Sequence, residues 1–154
     1  MDHEKEGDRL MTTGAERATD LLIERIREAT NQHDLDALAD CFHPDFDSEF
    51  PAHPERAFRG QEQMRTNWSR IFAAVPNLTS TLLRRAANQD TAWAEWEWAG
   101  TRPDGKDFVM RGVTIQEVRD GKVAWARLYM EPVQPPALGA EAEMGRMLGD
   151  TSDR

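Results

Sequence analysis

The sequence predicts an α+β domain in which helices come first and a curved, mostly antiparallel sheet follows. Three observations carry this. Apolar residues recur at helical spacing as far as Phe72. From Leu78 onward, apolar and polar residues alternate through four long runs. Short segments rich in Asn, Asp and Gly separate those runs, as hairpin turns do. With 154 residues and 39% hydrophobic content, the chain is one domain with a single core.

Taken in order, Leu21, Leu22, Ile26 and Ala29 form an apolar stripe on a first helix, from about Ala15 to Gln32. Glu24, Arg25, Arg27 and Glu28 fall on its other faces. Asp34 is a good N-cap for a short second helix with Leu35, Leu38 and Phe42 on one side, ended by His43-Pro44. Phe46, Ser48 and Phe50 then alternate with Asp47 and Glu49 as in a half-buried strand, with Arg56 to Arg59 as its partner. Gly60 opens a third helix carrying Met64, Trp68, Ile71 and Phe72, broken at Val75-Pro76-Asn77. The strands LTSTLLRRAA, TAWAEWEWAGTR, FVMRGVTIQEV and KVAWARLYMEP complete the body. Their separators are Asn88-Gln89-Asp90, Pro103-Asp104-Gly105-Lys106 and Asp120-Gly121, the last a strong two-residue hairpin signal.

This divides the chain into a disordered tail over 1–13, a domain over 14–133 and a second tail over 134–154. Pro135 and Pro136 stop the last strand, and the tail beyond them has room for a short helix around Ala140 to Leu148.

Composition excludes several classes. A net charge of -9 with no Lys/Arg run is unsuited to a nucleic-acid partner. No apolar run approaches the roughly 20 residues of a membrane span, and the N-terminus is acidic where a signal peptide is basic and then apolar. Cys41 is the sole cysteine, so no internal disulfide forms; it reads as a small core residue in a reducing cytoplasm. A Gly-rich phosphate loop, a nucleophile elbow and a Cys cluster are all missing, so neither a cofactor nor a metal is expected. His43-Pro44-Asp45 and His53-Pro54-Glu55 look like paired His/carboxylate sites that could gather at the pocket mouth to bind a metal or move a proton, although X-Pro turns with polar neighbours are usually just turns. His53 is the better catalytic candidate, since it lies just past the first strand and histidine is the residue type best suited to moving a proton near neutral pH.

The order of elements, the phrases HDLDAL and FHPDF, and the DGKV turn before a final strand resemble the NTF2-like superfamily, and within it the SnoaL-like group. That group includes polyketide cyclases and relatives of ketosteroid isomerase. The resemblance covers about Ala15 to Pro132 and implies a cone: three helices against one face of a curved sheet, a pocket between them, and a dimer across the other face. It does not by itself imply an activity.

If Phe50 points into that pocket, alternation sends Phe46 and Ser48 the same way. Ala94, Trp96 and Trp98 follow, then Met110, Gly112, Thr114 and Gln116, then Ala126, Leu128 and Met130. Asp47, Glu49, Glu95, Glu97, Glu117 and Glu131 fall on the opposite parity. The expected ligand-binding residues are therefore Ile26, Phe50, Trp96, Trp98, Met110, Thr114, Leu128 and Met130. Trp96 and Trp98 suit a flat apolar ligand, and Thr114 could hydrogen-bond a carbonyl.

The resemblance also implies where acid–base residues would stand. Ketosteroid isomerases carry a Tyr and two Asp at positions matched here by Ile26, Phe50 and Thr114. SnoaL-type cyclases and epoxide hydrolases of this fold use an Asp where Leu128 stands, and the cyclases add a His at the place of Thr114. None of these acids or bases is kept.

On the outer parity, Trp93, Trp125 and Tyr129 interleave with Glu95, Glu97, Arg111 and Arg127, which predicts a homodimer through this face with Glu and Arg pairing across the axis. Three functions remain open. The chain binds an apolar, ring-containing small molecule; or it is a cyclase, isomerase or dehydratase on a polyketide-like or terpenoid substrate, with His53 or Thr114 assisting; or it is an assembly module whose pocket is merely core.

Overall fold

The computed structural model describes residues 13–136 and 138–149. Its first helix, α1 (Gly14–Asn31), opens on a capping box: Glu16 N–H donates to the Thr13 hydroxyl and Thr13 N–H to the Glu16 carboxylate, both at 3.1 Å. Its buried side is Thr19, Leu22, Ile23, Ile26, Ala29 and Thr30. The stripe expected from sequence included Leu21, which instead faces out at 65% exposure. Residues 19, 22, 23, 26, 29 and 30 follow the three-and-four spacing of one helical face, and Leu21 sits off it.

The second helix, α2 (Leu35–Asp40), is capped as expected, with Ala37 N–H donating to the Asp34 carboxylate at 3.0 Å. It stops sooner than the sequence indicated. Phe42 is the first residue of strand β1 (Phe42–Glu49), not the last of the helix, and His43 and Pro44 lie within that strand. The physical reason is that a residue before proline is pushed to extended geometry, which fits a strand as well as a helix stop. Burial drives the Cys41 thiol pKa up, and its Sγ donates to the Ala37 carbonyl, so it behaves as a packing group.

After a 3-10 turn at Pro54–Arg56 come the two-residue strand β2 (Phe58–Arg59) and helix α3 (Gln61–Ala74). Gly60 precedes that helix at φ 92°, a backbone geometry that glycine adopts without penalty. Four long strands follow: β3 (Thr79–Asn88), β4 (Thr91–Thr101), β5 (Asp107–Arg119) and β6 (Lys122–Pro132). Asp120 and Gly121 both take positive φ, the primed-turn geometry that the two-residue loop demands. Helix α4 (Ala140–Met147) lies in the C-terminal segment and buries no residue. The tail expected over 1–13 lies, except for Thr13, outside the described residues.

The sheet has six strands in the order β2-β1-β6-β5-β4-β3. All neighbours are antiparallel except β1 with β6, which run parallel. Register breaks at Leu82/Arg84, at Glu117/Val118 and between Phe42 and Asp47. Such irregularities bend and twist strands, which curves the sheet around the helices. The core lies in the concavity, where Ile23 and Leu38 on the helices meet Phe46, Trp96, Val123 and Met130 on the sheet. At the rim, Lys122 at the start of β6 donates to the Asp40 carboxylate at 2.9 Å and holds its pKa below the usual aspartate value.

Candidate functional site

Between the helices and the concave face lies a cavity of about 200 Å³. Burial gives it a direction. Phe46, Ser48, Met64, Trp96, Thr114, Gln116, Ala126 and Met130 line its buried side. Phe50, Trp68, Trp98, Met110 and Leu128 are half-buried, and Arg56 is exposed, so these surround the mouth. Each element supplies its share by simple periodicity. Inward residues on β4, β5 and β6 are every second one, and α3 turns Met64, Trp68 and Ile71 inward at steps of three and four.

All eight residues expected from sequence to contact a ligand, Ile26, Phe50, Trp96, Trp98, Met110, Thr114, Leu128 and Met130, stand around this one cavity. The wall also takes in residues not assigned from sequence, among them Thr30, Arg56, Phe58, Asn67, Trp68 and Ser80. Ser80 shares the strand parity that was legible elsewhere in the sheet. Arg56 and Phe58 depend on the path of the β1–β2 connection, which no periodicity encodes.

Trp96 is 2% exposed, and its Nε1–H donates to the Thr114 hydroxyl at 2.9 Å. A buried indole N–H needs an acceptor, and here a neighbouring strand provides it. The indole thus offers a ligand its edge or face, with its donor already engaged. Trp96 also registers against Gly112, where the β6 backbone at Tyr129 and Met130 comes too close to leave room for a side chain. Trp98 differs, being half-buried at the mouth and edge-on to Trp68 with centroids 5.2 Å apart.

The wall carries little charge. None of Asp47, Glu49, Glu95, Glu97, Glu117 and Glu131 lines the cavity, because the pleat sends them outward. Arg56 is the one charged residue of the wall, and among the described residues it makes no ion pair.

His53, the candidate proton carrier, is not in the wall. Its Nε2 lies 2.7 Å from Glu131 Oε1 and its Nδ1 4.0 Å from Glu55, so it fastens the β1–β2 connection to the end of β6. The two His/carboxylate pairs, which the sequence also allows to be no more than X-Pro turns, are held apart by the length of β1. His43 stands at the start of this eight-residue strand and His53 lies past its end. Among the described residues, no three His, Cys, Asp or Glu side chains come together to hold a metal ion. No described helix is long and apolar enough to cross a membrane.

The fold itself, helices against a curved, unclosed sheet, is shared with known structures. A provisionally assigned SnoaL-like polyketide cyclase from Jannaschia sp. CCS1 is similar at 19% identity, covering 88% of this chain and 94% of that one, with TM-score 0.68. An LEH-like epoxide hydrolase from M. tuberculosis is similar at 18% identity, over 75% of this chain and 84% of that one, TM-score 0.65. A loop-truncation variant of IdmH is similar at 23% identity, over 73% of this chain and 92% of that one, TM-score 0.64. At these identities the likeness speaks for the fold. No protein of curated function gives a significant match. The profile of the SnoaL-like domain matches residues 23–126, from the middle of α1 to the wall residue Ala126, and the chain belongs to that family.

Proposed function

We propose that this SnoaL-like domain holds an apolar, ring-containing small molecule in its cavity. The observation that carries the reading is the composition of the wall: Phe50, Trp98, Met110 and Leu128 at the mouth, Trp96 and Met130 within, and no carboxylate or imidazole among them. Ligand pockets are usually about 300–1,000 Å³, so a cavity of about 200 Å³ fits a one- or two-ring compound before it fits a steroid. Met64, Met110 and Met130 are unbranched and adaptable, which lets the wall give way to a somewhat larger guest. A cytoplasmic setting agrees with Cys41 being free and buried.

Tryptophan-fluorescence titration with monocyclic and bicyclic terpenoids, then anthraquinone and steroid, tests this. Saturable quenching is expected, weakened about tenfold or more in Trp98→Ala, since a lost aromatic contact worth about 1.4 kcal/mol is a factor of ten. No response across the panel from folded protein overturns the reading and favours an assembly module in which the cavity is only core.

A catalytic reading, as cyclase, isomerase or dehydratase, draws support from the His53–Glu131 contact beside Phe50, since a carboxylate on one imidazole nitrogen orients the ring for proton transfer. Turnover with a pH profile that disappears in His53→Ala would favour it over binding alone.

We further propose that the outer sheet face packs on a second copy of the chain. Trp93 and Tyr129 are each 41% exposed there, beside half-buried Trp125. Three of the four charges expected to pair across the axis already pair within the chain, Arg111 with Glu97 at 2.7 Å and Arg127 with Glu49 at 3.2 Å. Arg127 also lies 4.9 Å over the Trp125 ring. Both arginines are thereby engaged within the chain, which leaves aromatic area as the main drive for association. Light scattering is expected to give a dimer for the native chain and a monomer for Trp93→Glu/Tyr129→Lys; a monomeric native chain overturns this.

A further inference from the structure

The apolar cavity has a polar floor whose hydrogen bonds are unmade. Ser48 and Gln116 are 1% and 5% exposed, and both line the cavity on its buried side. The Ser48 hydroxyl oxygen and the Gln116 amide oxygen have no hydrogen-bond partner. Most buried polar atoms in folded proteins are paired, and leaving one unpaired costs about 1–3 kcal/mol. Two such atoms in one wall therefore call for a partner from outside the chain.

Register places them together. On β6, Ala126 aligns with Ser48 of the parallel strand β1 on one side and with Gln116 of the antiparallel strand β5 on the other. Both side chains thus rise from one rung, over a residue with only a methyl group. Adjacent strands are about 4.8 Å apart, so the two Cα atoms are about 10 Å apart, and the long Gln side chain closes much of that gap. A single oxygen above Ala126 is then within reach of both. Ser80 Oγ is also unpartnered, but Ser80 registers against Trp98 and marks a separate point nearer the mouth.

We propose that the ligand of this cavity is a neutral hydroxylated ring compound whose hydroxyl is read at the floor by Ser48 and Gln116. The inference rests on the reading of the cavity as a ligand site and adds what the ligand must carry. The ligand O–H donates to the Gln116 amide oxygen and its oxygen accepts from the Ser48 hydroxyl, so both orphan groups are satisfied at once. Thr114, two residues from Gln116 on the same face of β5, accepts from Trp96 and keeps its hydroxyl proton to donate. A charged group is a poor fit at this depth. No acid lines the cavity to pair an ammonium, and the sole cation, Arg56, is exposed at the mouth, away from the floor.

Toluene, p-cresol and 4-methylanisole separate the alternatives by isothermal titration calorimetry. They share one ring and differ in having no polar group, a hydroxyl, or an ether that accepts but cannot donate. A merely greasy cavity favours toluene, because a phenol loses more hydration on entry. The expected order is p-cresol tightest by about tenfold, with the ether between. In Ser48→Ala/Gln116→Met, which removes both orphan oxygens at nearly constant volume, the order is expected to reverse in favour of toluene. Because orphan groups are removed, that variant is expected to melt no lower than the native chain, which shows that it folds. Toluene binding the native chain as tightly as p-cresol, or an unchanged preference in the folded variant, overturns the proposal and leaves the ligand site standing. If none of the three binds, the ligand-site reading falls and takes this proposal with it.

Discussion

Gly112→Ala is expected to be among the most damaging single substitutions in the domain, lowering stability by about 3 kcal/mol or more. A Cβ built on Gly112 would lie 1.9 Å from the Tyr129 carbonyl oxygen and 2.8 Å from the Met130 Cα. Both obstacles are main chain, so no rotamer change relieves them. Either β5 moves off β6 or the pair loses its register around Gly112–Met130, in the middle of the cavity wall. The loss is read as a fall in the urea midpoint with little change in slope. A loss below about 1 kcal/mol would mean that the two strands separate easily, and that the close approach is incidental.

Trp96→Ala is expected to cost about 3–5 kcal/mol, the range for emptying a buried large aromatic site. The more informative comparison uses milder changes. Trp96→Phe keeps most of the packing and forfeits the bond to Thr114, whereas Thr114→Val strands the buried indole N–H. The first is expected to cost about 1 kcal/mol beyond packing and the second about 1–3 kcal/mol. Their combination should cost clearly less than the sum, because once the indole N–H is gone the loss of the hydroxyl matters little. Chemical denaturation of the four proteins measures that coupling. Strict additivity would show that the hydrogen bond contributes nothing, and would return Trp96 to the role of a free donor for a ligand.

These two substitutions also show how legible the molecule was. Strand parity alone put Trp96, Met110, Gly112, Thr114, Gln116, Leu128 and Met130 on one face, because side chains alternate with a period of two and the Asp120-Gly121 turn sets the pairing of β5 with β6. The outward parity of the acids followed from the same rule, and with it the apolar wall. The short helices and their connections were less readable. Phe42 and Leu21 were placed on helical faces that the folded chain does not use, since X-Pro geometry and an apolar neighbour each satisfy two local readings.

By itself, the sequence determined the class of fold, the order of its elements and which side of each strand looks inward, since these depend on local periodicity, caps and turns. Tertiary structure decided what the inward residues do to one another. It joined the Trp96 indole to Thr114 across two strands, turned His53 away from the wall and onto Glu131, and paired Arg111 and Arg127 within the chain. It also left Ser48 and Gln116 unpaired on either side of Ala126. Those outcomes depend on the registers of strands distant in sequence, and above all on the parallel pairing of β1 with β6, which no local pattern specifies.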